Sequence, residues 1–310
     1  MLADQASFKK GIVMFTGLSA FPLTPLINGD VDERRFITLI ENLVDAGVDS
    51  IGALGSTGSY AYLTREQRFA ATKLAVSAAS GIPVITSIGA VRTDDVMRLA
   101  EDAQQAGVSG VLLAPVSYQP LSAAEVFRLY ERVTSELSVP LCIYDNAATT
   151  GFDFSDELLI ALSYLDNTGS IKLGEFPADP VQAVQRVEHL KSQMARGVTL
   201  GISGDTQSTA GLLAGCDIWY SVLGGLFPHY ALNLTRVALH GDTTATRLLD
   251  MPLEPLWAFY RRHGSLRVIA SIAEILGRVQ SPCLPFPLQT LIGKEMVDLK
   301  ATLEQLNFLV

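Results

Sequence analysis

The sequence has few of the residues that build metal, redox or disulfide sites. Its 310 residues include only three cysteines and four histidines. The cysteines lack the Cys-x-x-Cys spacing of redox and zinc motifs, and the histidines lack the spacings typical of catalytic zinc. We therefore expect no metal and no other cofactor. The cysteines, expected to be core thiols, are Cys142, Cys216 and Cys283.

Long apolar runs and an excess of positive charge are also missing. Every apolar stretch is interrupted before the roughly 18 residues that a membrane-spanning helix needs. The opening MLADQASFKKG is not followed by an apolar run of signal-peptide length. With 23 basic and 32 acidic residues, the net charge is -9, and no basic cluster offers a surface for nucleic acid. We expect a soluble, cytoplasmic protein that binds small molecules, with no nucleic acid or membrane as partner.

A repeated junction is the main pattern that the sequence does contain. An amphipathic segment ends in Ala-Gly and a short apolar run follows, at Gly47, Gly107 and Gly215. Each glycine fits the left-handed position just beyond a helix end, because glycine lacks a Cβ. This rhythm predicts eight strands. They lie within residues 17–24, 43–58, 80–89, 103–115, 139–146, 167–174, 198–205 and 212–222.

Amphipathic segments between these strands complete an α/β alternation. Such alternation implies a parallel sheet, and eight units over roughly 200 to 250 residues match a closed (β/α)8 barrel. The alternative, an open doubly wound dinucleotide-binding sheet, would carry GxGxxG after the first strand, and this sequence has none there. Helical patterns without strands follow, at 231–240, 244–263, 265–279 and 293–310. We predict a (β/α)8 TIM barrel over residues 1–233 and a C-terminal helical domain over residues 234–310.

Strand alternation predicts which side chains enter the barrel. With Ile171 and Leu173 facing the helices, Lys172 points inward, and the same parity turns Tyr144 inward on the preceding strand. Confinement penalises the charged ammonium and favours the neutral amine, which attacks ketones to form a Schiff base. A lysine that reaches solvent or pairs with an acid is the alternative.

A hydroxyl-bearing loop follows the second predicted strand. It reads Gly55-Ser56-Thr57-Gly58 and offers two hydroxyls and backbone N–H groups that can hold a small carboxylate. Schiff-base chemistry moves several protons, and a phenol with neighbouring hydroxyls suits that relay. An ordinary glycine-rich turn is the alternative interpretation.

Four motifs in this order resemble the dihydrodipicolinate synthase / N-acetylneuraminate lyase family of class I, pyruvate-handling aldolases. They are GSTG (55–58), IYDN with TTG following (143–151), SIKLG (170–174) and SGD (203–205), within a resemblance over roughly residues 15–305. The resemblance implies a 2-oxo acid such as pyruvate and an aldehyde as partners. It also implies a homotetramer built as a dimer of dimers.

The resemblance assigns roles to single residues. Lys172 would be the Schiff-base lysine and Tyr144 the proton-relaying tyrosine. Ser56 and Thr57 would supply the carboxylate-binding and relay hydroxyls, with Thr57 also counted as catalytic. Two further positions would line the keto-acid pocket, namely Gly204 and Tyr220.

Three departures from the family pattern bear on the substrate. Ser59 replaces the glutamate of the family's GTTGE. Thr149 stands where synthases place the arginine that clamps the second substrate's carboxylate, and a hydroxyl does not replace a bidentate guanidinium contact. The family's paired tyrosines are reduced to Tyr118, which would complete a neighbouring subunit's relay. Thr149 and Tyr118 are included among the predicted substrate-binding positions.

The departures favour a Schiff-base lyase or aldolase other than the lysine-pathway synthase. Such an enzyme would condense pyruvate or a related 2-oxo acid with an aldehyde, or cleave the product, and a sugar-acid or hydroxy-keto-acid substrate would fit. The alternatives are 4-hydroxy-tetrahydrodipicolinate synthase, acting on pyruvate and aspartate semialdehyde, and a non-catalytic keto-acid-binding barrel. A phosphosugar enzyme, with its phosphate site near 203–206 and 224–225, is a further alternative.

Overall fold

Eight parallel strands close into a barrel in a computed structural model that describes residues 14–306. Each strand pairs with the next in the chain, and the last pairs with the first. The strands are β1 (Gly17–Ala20), β2 (Ser50–Ala53), β3 (Val84–Ser87), β4 (Gly110–Leu113), β5 (Leu141–Tyr144), β6 (Thr168–Leu173), β7 (Thr199–Ser203) and β8 (Ile218–Ser221). All eight fall within the predicted segments, so the predicted (β/α)8 TIM barrel is confirmed.

A helix follows each strand on the outside of the barrel. The helices are α1 (Glu33–Ala46), α2 (Arg65–Ala78), α3 (Thr93–Gln105), α4 (Ala123–Thr134), α5 (Asp156–Ser163), α6 (Pro180–Gln193), α7 (Ser208–Leu213) and α8 (Pro228–Leu239). Just beyond α1, Gly47 has φ of 73°, and Gly107 and Gly215 have φ of 86° and 107°. The three glycines therefore occupy the left-handed conformation predicted for them.

Four more helices form a C-terminal extension. They are α9 (Thr243–Asp250), α10 (Glu254–His263), α11 (Ser265–Ile275) and α12 (Gly293–Gln305). The helical pattern over 244–263 is divided by a short 3-10 turn, Met251–Leu253, because Pro252 has no N–H to continue the helix. Helix α10 contacts the 3-10 turn Asp205–Gln207 that follows β7. The extension therefore reaches the carboxyl end of the barrel.

The predicted boundary between residues 233 and 234 lies inside α8. This helix packs on β1 and is the eighth outer helix of the barrel. The division into two domains stays a prediction. The three cysteines are buried and unpaired, as predicted. No helix among residues 14–306 has the length and apolar character to cross a membrane.

Strand glycines make room for aromatic rings inside the barrel. Phe15, Phe21 and Tyr220 belong to an inner cluster that is separate from the packing between strands and helices. A Cβ added to Gly52 would overlap the Phe21 ring, and one added to Gly201 would overlap the Tyr220 ring. The interior is therefore filled by rings set against backbone, at the density of a protein core.

We predict that Gly169→Ala destabilises the barrel by about 1–3 kcal/mol through overpacking. The added Cβ would lie 2.7 Å from the Phe15 ring and 2.8 Å from Cβ of Pro140. Replacing Phe15 by leucine in the same chain should recover part of this loss, because the smaller side chain can yield. Urea unfolding of both single variants and the double variant measures the coupling. Strictly additive losses would contradict this packing.

Candidate active site

Lys172 lies inside the barrel near the carboxyl end of β6, as the strand parity predicts. It pairs with Tyr144 of β5 in the strand register. Its side chain is 4% exposed, and Nζ lies 3.9 Å from the centre of the Tyr144 ring and 4.2 Å from that of Phe21. None of the ion pairs among residues 14–306 includes Lys172. The amine is therefore held by ring faces rather than by a carboxylate.

The Tyr144 phenol lies between a hydroxyl and an amide. Its Oη is 3.4 Å from Oγ of Ser56 and accepts a hydrogen bond from Nδ2 of Asn146 at 3.0 Å. Thr57 is the next residue of the same loop and is buried. The structure thus brings Lys172, Tyr144 and Ser56 together. A phenol and a hydroxyl in this arrangement can pass a proton to or from a bound molecule.

The loop that carries Ser56 and Thr57 is a tight turn. Leu54 and Ser59 at its two ends have φ of 53° and 55°, in the left-handed region that favours glycine. A Cβ on Gly58 would lie 2.8 Å from Cα of Leu54. Strained backbone of this kind persists where surrounding packing imposes it, and it is frequent at functional sites. The two hydroxyls are therefore held in place by backbone shape.

A buried hydrogen-bond network lies beneath the lysine. The Tyr220 ring centre is 5.6 Å from Nζ of Lys172. Its hydroxyl is 2.6 Å from Oγ of Ser170, which accepts a hydrogen bond from Oγ1 of Thr199 at 2.8 Å. Burial raises the pKa of Tyr220 well above its usual range, so this phenol stays neutral. Tyr220 therefore forms the floor of the site, and its hydroxyl is engaged below it.

The remaining predicted positions lie toward solvent. Gly204 follows β7 with φ of 82° and is exposed. Thr149 is exposed on a single helical turn, Ala147–Thr150, that follows β5. Tyr118 is 88% exposed on the loop after β4. Within one chain, Tyr118 is therefore not part of the group around Lys172.

A buried carboxylate ties the loops after β7 and β8 together. Asp205 accepts hydrogen bonds from Nε1 of Trp219 at 3.0 Å and from the backbone N–H groups of Val222 and Leu223 at 3.1 and 2.6 Å. Burial raises the pKa of Asp205 to about 6. The aspartate of the SGD motif thus holds two loops together, and it directly follows Gly204, which was predicted to line the pocket.

Arg68 and Tyr60, two buried residues with polar groups, were not singled out from the sequence. Arg68 donates hydrogen bonds to the carbonyls of Ser87 at 2.8 Å and Gly89 at 3.0 Å, and it lies 5.1 Å from the centre of the Tyr60 ring. Burial lowers the pKa of Arg68 to about 10 and raises that of Tyr60 to about 12. Arg68 lies on a helix and Tyr60 in a turn, and no sequence pattern there distinguishes them from ordinary residues.

Asp145, next to Tyr144, was also missed. Its side chain is 3% exposed, and Oδ2 accepts a 3.4 Å hydrogen bond from the backbone N–H of Gly174. Its Oδ1 is buried and has no hydrogen-bond partner among the residues that the structure describes. Burial raises the pKa of Asp145 to about 6. This carboxyl is therefore costly to ionise in the folded protein.

The fold and the site define a (β/α)8-barrel enzyme with a lysine-centred site at the carboxyl ends of the strands. The model of the dihydrodipicolinate synthetase family matches residues 14–306, nearly all of the chain. The chain belongs to this family, and its members include synthases and aldolases by name. It is therefore an enzyme of the carbon–carbon lyase and aldolase class.

Individual relatives carry two kinds of name. A dihydrodipicolinate synthase structure from Agrobacterium tumefaciens is 42% identical, with a TM-score of 0.91 over 96% of this chain and 99% of that one. A 4-hydroxy-tetrahydrodipicolinate synthase from Idiomarina loihiensis is 30% identical over 76% of this chain and 77% of its own. A candidate 2-dehydro-3-deoxy-D-gluconate aldolase, YagE of Escherichia coli, is 26% identical over 95% of this chain and 98% of its own.

We predict that Asp145→Asn makes stability less dependent on pH. The pKa of Asp145 is raised from 3.8 to about 6, so between these values the folded protein holds a proton that the unfolded chain has released. The free energy of unfolding should therefore fall as the pH rises through this window. Asparagine should remove a fall on the order of 2 kcal/mol. Urea unfolding at pH 4 and pH 7 checks this, and equal falls in both proteins would contradict it.

Proposed function

We propose that Lys172 forms an imine with C2 of pyruvate or a related 2-oxo acid. The observation that supports this is the position of its amine. Nζ is buried among aromatic rings without an ion-pair partner in the described chain, and the nearest ring belongs to Tyr144, whose Oη meets Ser56. A desolvated amine beside a proton relay is the arrangement that imine formation requires.

The proposed reaction proceeds through intermediates that stay covalently bound to Lys172. The neutral amine adds to the C2 carbonyl, and loss of water, protonated through Tyr144, gives the imine. Loss of a proton from C3 gives an enamine, which attacks the aldehyde carbon while the aldehyde oxygen takes up a proton. Water then hydrolyses the new imine, which releases a 4-hydroxy-2-oxo acid and restores the lysine. Cleavage is the same sequence in reverse.

The loop after β2 is proposed to hold the carboxylate of the 2-oxo acid. Ser56 and Thr57 lie on its tight turn, where hydroxyls and successive backbone N–H groups can bind a small anion. Ser56 also meets the Tyr144 phenol. In this proposal Ser56 passes protons, and Thr57 binds the carboxylate and takes part in the relay. Tyr220 forms the floor, and Gly204 lies at the wall.

The second substrate is proposed to be a hydroxylated aldehyde of the kind that sugar acids yield. Thr149 is exposed and supplies no guanidinium for a second carboxylate. Arg186, on the outer side of this region, already donates to Asp156 and to the carbonyl of Glu175. The relative named as a 2-dehydro-3-deoxy-D-gluconate aldolase supports this choice. The relative at 42% identity is named a synthase, so aspartate semialdehyde is the second candidate.

We expect borohydride reduction in the presence of pyruvate to attach the pyruvate carbons covalently to Lys172. Peptide mass spectrometry locates the modified residue. Lys172→Arg should remove both the label and the activity, because a guanidinium is not a nucleophile at neutral pH. An unlabelled wild-type chain across several 2-oxo acids would overturn the proposal and favour a barrel that only binds keto acids.

A substrate panel separates the two aldehyde candidates. We expect turnover of pyruvate with hydroxyaldehydes such as glyceraldehyde, and little turnover with aspartate semialdehyde. Thr149→Arg should raise kcat/KM for aspartate semialdehyde about tenfold, because a guanidinium–carboxylate pair supplies strong hydrogen bonds. Thr149→Met, similar in length but uncharged, is the control. Robust wild-type turnover of aspartate semialdehyde would show that the lysine-pathway reaction is the function.

The homotetramer stays a prediction of the family resemblance, and the cytoplasmic location stays a prediction from the sequence. Tyr118 is 88% exposed in the single chain, so it is free to complete the relay of a neighbouring subunit, as the resemblance implies. Light scattering of the full chain gives the mass of the assembly, and a monomer would contradict the tetramer.

A further inference from the structure

We propose that Asn146 is a positioning residue for the proton relay. Its amide donates a hydrogen bond to Oη of Tyr144 at 3.0 Å, on the same oxygen that meets Ser56 at 3.4 Å. This inference rests on the proposed function, because it concerns the phenol that would pass protons during imine formation. Asn146 is the last residue of the IYDN motif, and no role was assigned to it from the sequence.

The hydrogen bond gives the phenol a direction. A tyrosine hydroxyl has one hydrogen to donate and lone pairs that accept. With the N–H of Asn146 on one lone pair, the phenol's own hydrogen is directed away from Asn146, and the contact with Oγ of Ser56 can run in either direction. When Tyr144 gives up its proton, the same N–H becomes a charge-assisted donor to the phenolate oxygen. Asn146 therefore both orients the neutral phenol and stabilises the form that follows proton transfer.

The backbone around Asn146 is held from two sides. Its carbonyl accepts hydrogen bonds from the backbone N–H of Thr149 at 2.9 Å and of Thr150 at 3.0 Å, and from Oγ1 of Thr150 at 3.0 Å. On the other side, the N–H of Asp145 donates to the carbonyl of Lys172 at 3.0 Å. The turn Ala147–Thr150 thus anchors the main chain of Asn146, and the side chain reaches back to Tyr144.

Other charged or titratable groups also act on Tyr144. The amine of Lys172 lies 3.9 Å from its ring centre, Tyr60 is close enough that Tyr144 contributes to its raised pKa, and Asp145 follows Tyr144 in the chain. These groups act through the ring face or through space. Asn146 and Ser56 are the side chains that hydrogen-bond to the Tyr144 oxygen itself. A variant at Asn146 therefore changes the oxygen's contacts and leaves the ring's neighbours in place.

The first test reads the phenol directly. The full chain is labelled with tyrosine carrying carbon-13 at Cζ, and the Tyr144 signal is assigned as the one missing in Tyr144→Phe. Asn146→Asp keeps the shape but cannot donate when ionised, and Asn146→Ala removes the group. Both should shift the Tyr144 signal. Thr38→Val removes a hydrogen bond of the same kind, from a threonine hydroxyl to a carbonyl, on the outer helix α1 and should leave the signal unmoved.

The second test reads the relay. We expect Asn146→Ala to slow borohydride-trapped imine formation and kcat by about tenfold or more, within the range of general acid–base effects, with KM for the 2-oxo acid changed less. In the Tyr144→Phe background, Asn146→Ala should cause no further loss, because Asn146 acts through the phenol oxygen. Thr38→Val should keep the wild-type rates.

The outcomes separate this inference from the proposed function. An unmoved Tyr144 signal in both Asn146 variants, or equal losses with and without the Tyr144 oxygen, would overturn the role of Asn146. A wild-type chain that forms no imine would overturn the proposed function, and the carbon-13 signal would still decide whether Asn146 donates to Tyr144. A shift without any effect on rate would show an idle hydrogen bond and would also overturn the positioning role.

Discussion

An amine enclosed by aromatic rings is the interaction on which the rest of this structure depends. The amine of Lys172 lies 4.2 Å from the centre of the Phe21 ring and 3.9 Å from that of Tyr144, within the distance at which ring faces attract a cation. This arrangement requires rings on several sides of the amine. The rings fit only because strand glycines leave space for them, as Gly52 does for Phe21. Glycines in the strands are therefore needed to place the aromatic rings around the amine.

The amine of Lys172 lies between a buried hydrogen-bond network on one side and the Tyr144 phenol on the other. Beneath it, Tyr220, Ser170 and Thr199 satisfy one another in a buried network, so the floor has few alternative arrangements. Above it, Tyr144 meets groups from two different loops, one after β2 and one after β5. The barrel brings these loops to the same end because all its strands run in one direction. Parallel topology thus places Tyr144 and its hydrogen-bond partners over the amine.

Alternation of side chains along strands explains which parts of the structure could be predicted. Because side chains alternate between the two faces of a strand, Lys172 and Tyr144 point inward whatever conformation the loops adopt. Glycine beyond a helix end marks the return of the chain to a strand. Beyond the last strand residue this period ends. The direction of Asn146, and the choice of Ser56 as the hydroxyl that meets Tyr144, depend on turn geometry that the sequence pattern does not contain. Whether Tyr118 lies near Lys172 could not be predicted either, because the strand pattern does not show that its loop leaves it exposed to solvent.

The carboxylate of Asp205 gives the C-terminal helices a share in the site. Asp205 fastens the loop after β7 to the start of the loop after β8, and α10 packs against the turn that carries it. A barrel without the C-terminal helices would lose the contact between α10 and this turn, next to Gly204. The C-terminal helices, although they lie outside the barrel, therefore help to position the loop that carries Gly204 and Asp205.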